Sequence, residues 1–161
     1  MFTHLNVHSH YSRMSGTASQ PALLTAARNQ GMNHLSLTET NGLGGFIRFV
    51  QHARAAEIEP IAGVNLITNQ GEAILLAENQ CGYENICRAT SAVHDNPSQS
   101  IADILVNRLG GLFVLSHDKG TLFSLSKMIP NSHLFVELRP GVTEHFAQKL
   151  SQKFNLEMVV T

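Results

Sequence analysis

Nine histidines in 161 residues pose the first chemical question, because a neutral imidazole is the commonest side-chain ligand for transition metals. Three of them, His4, His8 and His10, stand in the opening stretch FTHLNVHSHYSRMSGTA, residues 2–18. The apolar character of its start predicts a strand over 2–7. On such a strand Phe2, His4, Asn6 and His8 share one parity and therefore one face. Asn6 and His8 would project side by side at its end, ahead of a polar turn carrying Ser15 and Gly16. In sheets and barrels of parallel strands, that end is where ligands and metals bind. Scattered histidines are more often surface or core polar residues, and that plainer reading suits most of the nine. It makes His4 a satisfied core group and His10 a surface group past the strand end. His94 and His117 then become polar residues near helix or strand ends. Gly42, Gly44 and Gly45 match no phosphate-cradling spacing and read as a strand-to-helix turn.

Positioning such a site falls to the elements behind it. After the opening strand, Ser19–Asn29 has an N-cap serine, a proline just inside and Leu23, Leu24 and Ala27 at helical spacing, with Gly31 to end it. Further strands are expected over 33–37, 60–67, 73–77, 112–115, 133–138 and 157–160. The helical patterns between them cover 43–56, 82–94, 101–108, 122–128 and 142–154. The strands are short continuous apolar runs, which is the signature of strands covered on both faces. Alternating with helices, they predict an α/β fold, a parallel sheet or barrel of βα units. No stretch is rich enough in Pro, Gly or Ser to divide the chain, so 1–161 is expected to be one domain.

Composition narrows the classes. A formal net charge of −1 argues against a free-standing nucleic-acid enzyme, which would carry a basic groove. Hydrophobic residues make up 43% of the chain, enough for a sizeable core, and charged residues only 14%, which suits a piece covered by other protein. Cys81 and Cys87 form neither a zinc ribbon nor a disulfide framework, so a reducing cytoplasm is expected. No run approaches the roughly 18 apolar residues of a membrane span, and no membrane partner is expected.

Several segments in order carry a resemblance. HLNVHSHYSRMSGTA, LSLTETNGLGGFIRF, EIEPIAGVNL, ILLAENQCGYENICR and LFVLSHDKG resemble the N-terminal PHP (polymerase and histidinol phosphatase) domain of bacterial C-family DNA polymerases, the DNA polymerase III alpha type among them. The run Gly82, Tyr83, Asn85 after LLAEN is typical of the polymerase branch. The resemblance covers nearly the whole chain. It implies a distorted (β/α)7 TIM-like barrel, incomplete at its C-terminal end, and a place as the N-terminal part of a larger polymerase acting in DNA replication or repair. Active relatives hold up to three metals (zinc, manganese or magnesium) and some proofread as 3′–5′ exonucleases.

Carried over residue by residue, the metal cage largely disappears. The family's His-x-His pair falls on Asn6 and His8. Ser15 stands for an aspartate, Glu39 and Thr40 for Asp and the ligand histidine of a Thr-Asp-His motif, and Asn65 for a glutamate. Glu72 takes the place of a histidine, and Asp118 that of the cysteine in a Ser-Gly-Cys turn. Only His8 keeps the family's residue type; His8, Asp118 and Glu72 are the remaining candidate ligands. The resemblance therefore implies a vestigial pocket formed by Asn6, His8, Ser15, Glu39, Thr40, Asn65, Glu72 and Asp118, with no catalytic residue and no cofactor. Its role would be structural, toward other polymerase domains or replisome subunits, with DNA reached only through the whole protein. The open barrel edge would be patched, with a second copy of the chain as one way to cover it. The competing reading is an active metal-dependent phosphoesterase, either a proofreading exonuclease or a small-molecule phosphatase.

Overall fold

The computed structural model describes residues 2–161. Its elements, in chain order, are α1 (Gln20–Asn29), β1 (His34–Thr40), α2 (Phe46–Ala55), β2 (Glu59–Thr68), β3 (Gly71–Ala77), α3 (Gln80–Asp95), α4 (Ile101–Leu105), β4 (Leu112–Ser116), α5 (Lys119–Leu125), β5 (Leu134–Leu138), α6 (Glu144–Phe154) and β6 (Met158–Val160). The strands form a single six-stranded sheet in sequential order, β1 to β6. Every helix start but that of α2, which follows Gly45, has a side-chain cap: Ser19, Asn79, Ser100, Asp118 and Thr143 each accept a hydrogen bond from a backbone N–H of the first turn.

Two expectations are corrected. The sheet is not wholly parallel, because β3 runs antiparallel to both β2 and β4 while the remaining pairs are parallel. Thr68 pairs with Gly71 across a tight turn, and a connection that short can only reverse the chain. The opening stretch is not a regular strand. It lies beside β1, giving the His4 carbonyl to Ser36 N–H (3.2 Å) and the Val7 carbonyl to Thr38 N–H (2.8 Å). Asn6 sits at a bend between these two bonds, so no continuous ladder forms.

Alternation along the strands sorts residues into two layers. Val64, Leu66, Ala73, Leu75, Leu112, Val114, Leu134 and Val136 pack outward against α3–α6, with Ile86, Ile104, Leu122 and Leu150 completing that core. Leu35 and Leu37 of β1 face α1 and α2, where Leu24 and Phe49 are buried. The opposite parity, Ile74, Leu76 and Leu115 with Leu5, Ile61, Phe113, Phe135 and Val159, forms a smaller inner cluster. Leu5, from the segment ahead of β1, and Val159, from β6, belong to this one cluster, so the sheet curls until its two ends approach. This is the wall of an incomplete barrel.

Candidate functional site

Continuing the inner parity past the inner cluster leads to polar residues gathered at one end of the sheet. Beyond Phe113 and Leu115 comes His117; beyond Phe135 come Glu137 and Arg139; beyond Val159 comes Thr161. Glu72 reaches the same end because β3 runs in reverse, with Ile67 of β2 paired to it in the register. These residues form one connected network. The Arg139 guanidinium donates to both oxygens of Glu72, at 2.8 and 3.1 Å, and its Nη2 lies 3.3 Å from His117 Nε2. His117 Nδ1 is 3.1 Å from Glu137 Oε2. The geometry fixes the tautomer: Nδ1–H donates to the carboxylate, and Nε2 accepts from the guanidinium. Glu137 Oε1 accepts from Asn6 Nδ2 and from Thr161 Oγ1, both at 2.9 Å, and Asn65 Nδ2 donates to Glu72 Oε1 at 2.8 Å.

A second carboxylate is satisfied separately. Glu39 at the end of β1 is buried, and its oxygens accept from Ser9 N–H, the Ser9 hydroxyl and the Ser12 hydroxyl. Ser12 uses its one proton there while its oxygen accepts from Thr40 N–H (2.9 Å), so His8 Nδ1, 3.1 Å away, must be the donor to that same oxygen. The loop bringing Ser9 and Ser12 over Glu39 is tightly wound, with Ser12 N–H on the Ser9 carbonyl and Gly16 N–H on the Ser12 carbonyl. A Cβ at Gly16 would collide with the Ser9 carbonyl.

The charge balance follows from burial. Desolvation pushes the Glu137 carboxyl upward, but hydrogen bonds from His117, Thr161 and Asn6, with the Arg139 charge, outweigh it and hold the group below its ordinary 4.5. Burial pushes the His8 imidazole below 6.5, against the opposing pull of Glu39, Glu72 and Glu137. His8 therefore sits in the pocket as a neutral ring.

Of the residues expected to share one pocket, Asn6, His8, Glu39, Asn65 and Glu72 lie in these two networks. Thr40 contributes its backbone N–H, while its buried Oγ1 has no partner among the described residues. Two placements are corrected. Ser15 is exposed on the loop, and Ser9 and Ser12 occupy the interior because the tight turn before Gly16 rotates Ser15 outward. Asp118 caps α5 by accepting from Thr121 N–H (2.7 Å), which turns it away from the network, and the neighbouring His117 points inward instead. His117, Glu137 and Arg139 were not expected; strand parity around Phe113 and Phe135 was the signal that could have found them. His4 is half-buried beside Phe2, not a core residue, and His10 is exposed against Tyr11.

A curled α/β wall with polar groups gathered at the ends of its strands is the architecture of an incomplete TIM-like barrel. The chain belongs to the PHP domain family, whose model matches residues 4–154. It is 34% identical over 105 residues to the DNA polymerase III subunit alpha of Borreliella burgdorferi, covering 56% of this chain and 9% of that protein. Against the Vibrio cholerae DNA polymerase III subunit alpha it is 26% identical over 194 residues, covering 99% of this chain and 17% of that protein. The chain thus spans well under a fifth of the length of these curated relatives. In fold it is similar to a solved protein of Bifidobacterium adolescentis described as a metal-dependent phosphoesterase, with a TM-score of 0.65 and 10% identity over 98% of this chain and 85% of that one.

The donors present do not fit the metals that this family implies. A guanidinium lies among Glu72, Glu137 and His117, and Glu39 is fully occupied by serine donors. Among the described residues no group of three or more His, Cys, Asp or Glu side chains is arranged to hold an ion. No described helix is long and apolar enough to cross a membrane.

Proposed function

We propose that the chain is the PHP domain, a single domain over 1–161, of a bacterial DNA polymerase III alpha-like protein acting in DNA replication or repair. Its metal site is degenerate and its role is structural. The observation that carries this reading is that each pocket carboxylate already has protein donors: Ser9 and Ser12 on Glu39, Arg139 and Asn65 on Glu72, and His117, Asn6 and Thr161 on Glu137. A carboxylate that accepts two or three hydrogen bonds, or a bidentate guanidinium, has little to gain from a divalent ion that must first be stripped of water. Neutral Asn6, Thr40 and Asn65 in family ligand positions lower the negative charge that would draw a cation in. The domain then serves the other domains of a cytoplasmic polymerase and its replisome partners, meeting DNA only through the whole protein.

The competing phosphoesterase reading draws support from the fold likeness to a protein described as metal-dependent. One experiment separates the two. Calorimetric titration with zinc and manganese, run beside digestion of a primer with a mismatched 3′ end, is expected to show neither stoichiometric binding nor digestion. Micromolar binding with metal-dependent digestion that His8→Ala abolishes would establish the enzyme and end the structural reading.

A further inference from the structure

The lysines of the sequence all stand in one region. Lys119 opens α5, Lys127 lies just past its end, and Lys149 and Lys153 are on α6. All of them are exposed. The two helices pack side by side on the outside of the barrel wall, burying Leu122 and Leu125 from α5 and Ala147 and Leu150 from α6. We propose that their outward face is a docking surface for an acidic peptide segment that also carries apolar side chains. The inference rests on the reading that the domain's role lies in contacts with other domains and partners, and it names the chemistry of one such partner.

Three observations carry it. First, the positive charge is unopposed. No lysine has an ion-pair partner among the described residues, whereas Arg28, Arg88 and Arg139 each face a glutamate. Glu144 is the sole acidic residue of the two helices, and it accepts a hydrogen bond from Gln148 (3.0 Å) in the first turns of α6. Lys149 and Lys153, one turn apart, repel each other along the helix until an anion lies between them. Second, aromatic rings are exposed among these charges: Phe123 is 52% and Phe146 42% exposed. Phe146, Lys149 and Lys153 share one stripe of α6 by their spacing, and Lys119, Phe123 and Lys127 recur every fourth residue along α5 and the turn after it. Rings flanked by unpaired cations suit a ligand that is both apolar and acidic.

Third, the surface favours a peptide over a nucleic acid. Lys127 Nζ lies 3.9 Å from the centroid of the Phe123 ring, so an ammonium already covers the ring where a base would stack. Neither helix carries an arginine, the side chain best shaped for phosphate. A formal net charge of −1 gives the chain no long-range pull on a polyanion. What remains is a set of point charges for carboxylates, with ring edges and lysine stems for apolar side chains.

The test is fluorescence anisotropy with three labelled probes. One is a peptide of about 12 residues mixing Asp and Glu with Leu and Phe, the second has Ser in place of its apolar residues, and the third is oligothymidine of about 20 nucleotides. The native chain should bind the first probe at least about tenfold more tightly than either of the others, and less tightly as salt is raised. Lys149→Glu/Lys153→Glu and Phe123→Ala should each weaken that binding at least about tenfold, with thermal melting confirming that the variants fold. Arg48→Glu/Arg54→Glu on α2, matched in charge to the lysine pair, should leave it unchanged. Failure to bind the first probe would overturn the inference, as would equal loss in the α2 variant. Tighter binding of oligothymidine would make the face a nucleic-acid surface and overturn it too. None of these results bears on the pocket: stoichiometric metal binding in the calorimetric titration would defeat the structural reading whatever the peptide does.

Discussion

Glu137 and His8 show how single residues set the pocket's response to acid. The folded protein holds Glu137 below 4.5, so its contribution to stability is complete above that pH and is lost as pH falls through the lower folded value. His8 is held below 6.5 in the folded state. Between 6.5 and that lower value the unfolded chain takes up a proton that the folded chain refuses, so stability is full above 6.5 and declines below it. Urea unfolding from pH 8 to pH 3 should show a midpoint that falls in two stages, first below 6.5 and then below 4.5. His8→Asn should remove the upper stage and Glu137→Gln the lower. A flat midpoint down to pH 5 in the native chain would contradict the burial argument for His8. At this scale the sequence carried part of the site. Asn6, His8, Asn65 and Glu72 could be placed by motif because each sits in a recognisable run. Arg139 could not, since nothing near LRPG marks an arginine as facing inward. Only the position of Phe135 in the inner layer reveals it.

Between residue and molecule stands the loop after the opening segment. Its turn brings Ser9 and Ser12 onto Glu39 because Gly16 lies against the Ser9 backbone with no room for a side chain. The obstacle is a carbonyl, which has no rotamer to yield, so Gly16→Ala should cost about 1–3 kcal/mol and loosen both serines from the carboxylate. Gly44, whose Cβ would meet nothing within 4 Å, provides the control, and Gly44→Ala should leave stability nearly unchanged. Chemical denaturation of the two variants checks this, and equal costs would refute the collision argument. The elements themselves were mostly visible in advance. Continuous apolar runs marked β2, β3, β4 and β5, and the Ser19 cap marked the start of α1; the caps Asn79, Asp118 and Thr143 were not read as helix starts. The reversal of β3 was visible in principle, since the Asn69-Gln70 connection leaves no length for a crossover. The antiparallel pairing of β4 with β3 across α3 and α4 had no local signal, because long connections permit either direction.

At the scale of the molecule, sheet order follows chain order, so neighbouring strands are also neighbours in sequence. Alternation alone therefore made a sheet or barrel of alternating elements legible, and the family resemblance pointed to the barrel, but the meeting of the sheet's two ends was not legible. That meeting rests on contacts such as Asn6 with Glu137, which no periodicity encodes.

The Asn6–Glu137 bond has a kinetic consequence. It joins residues 131 apart in sequence, whereas β1 to β6 can zip together through steps that each close a shorter loop. Loop-closure entropy makes the longest link the last to form and the first to release, so the opening segment should act as a latch on a wall already assembled. Amide exchange can observe the latch directly. The Ser36 and Thr38 amides, which are covered by the His4 and Val7 carbonyls, should exchange by local opening well before Leu75 or Val114 in the middle of the sheet. Asn6→Ala should speed only that first class. Equal acceleration across the sheet would mean that the segment folds and unfolds with the barrel wall as one unit.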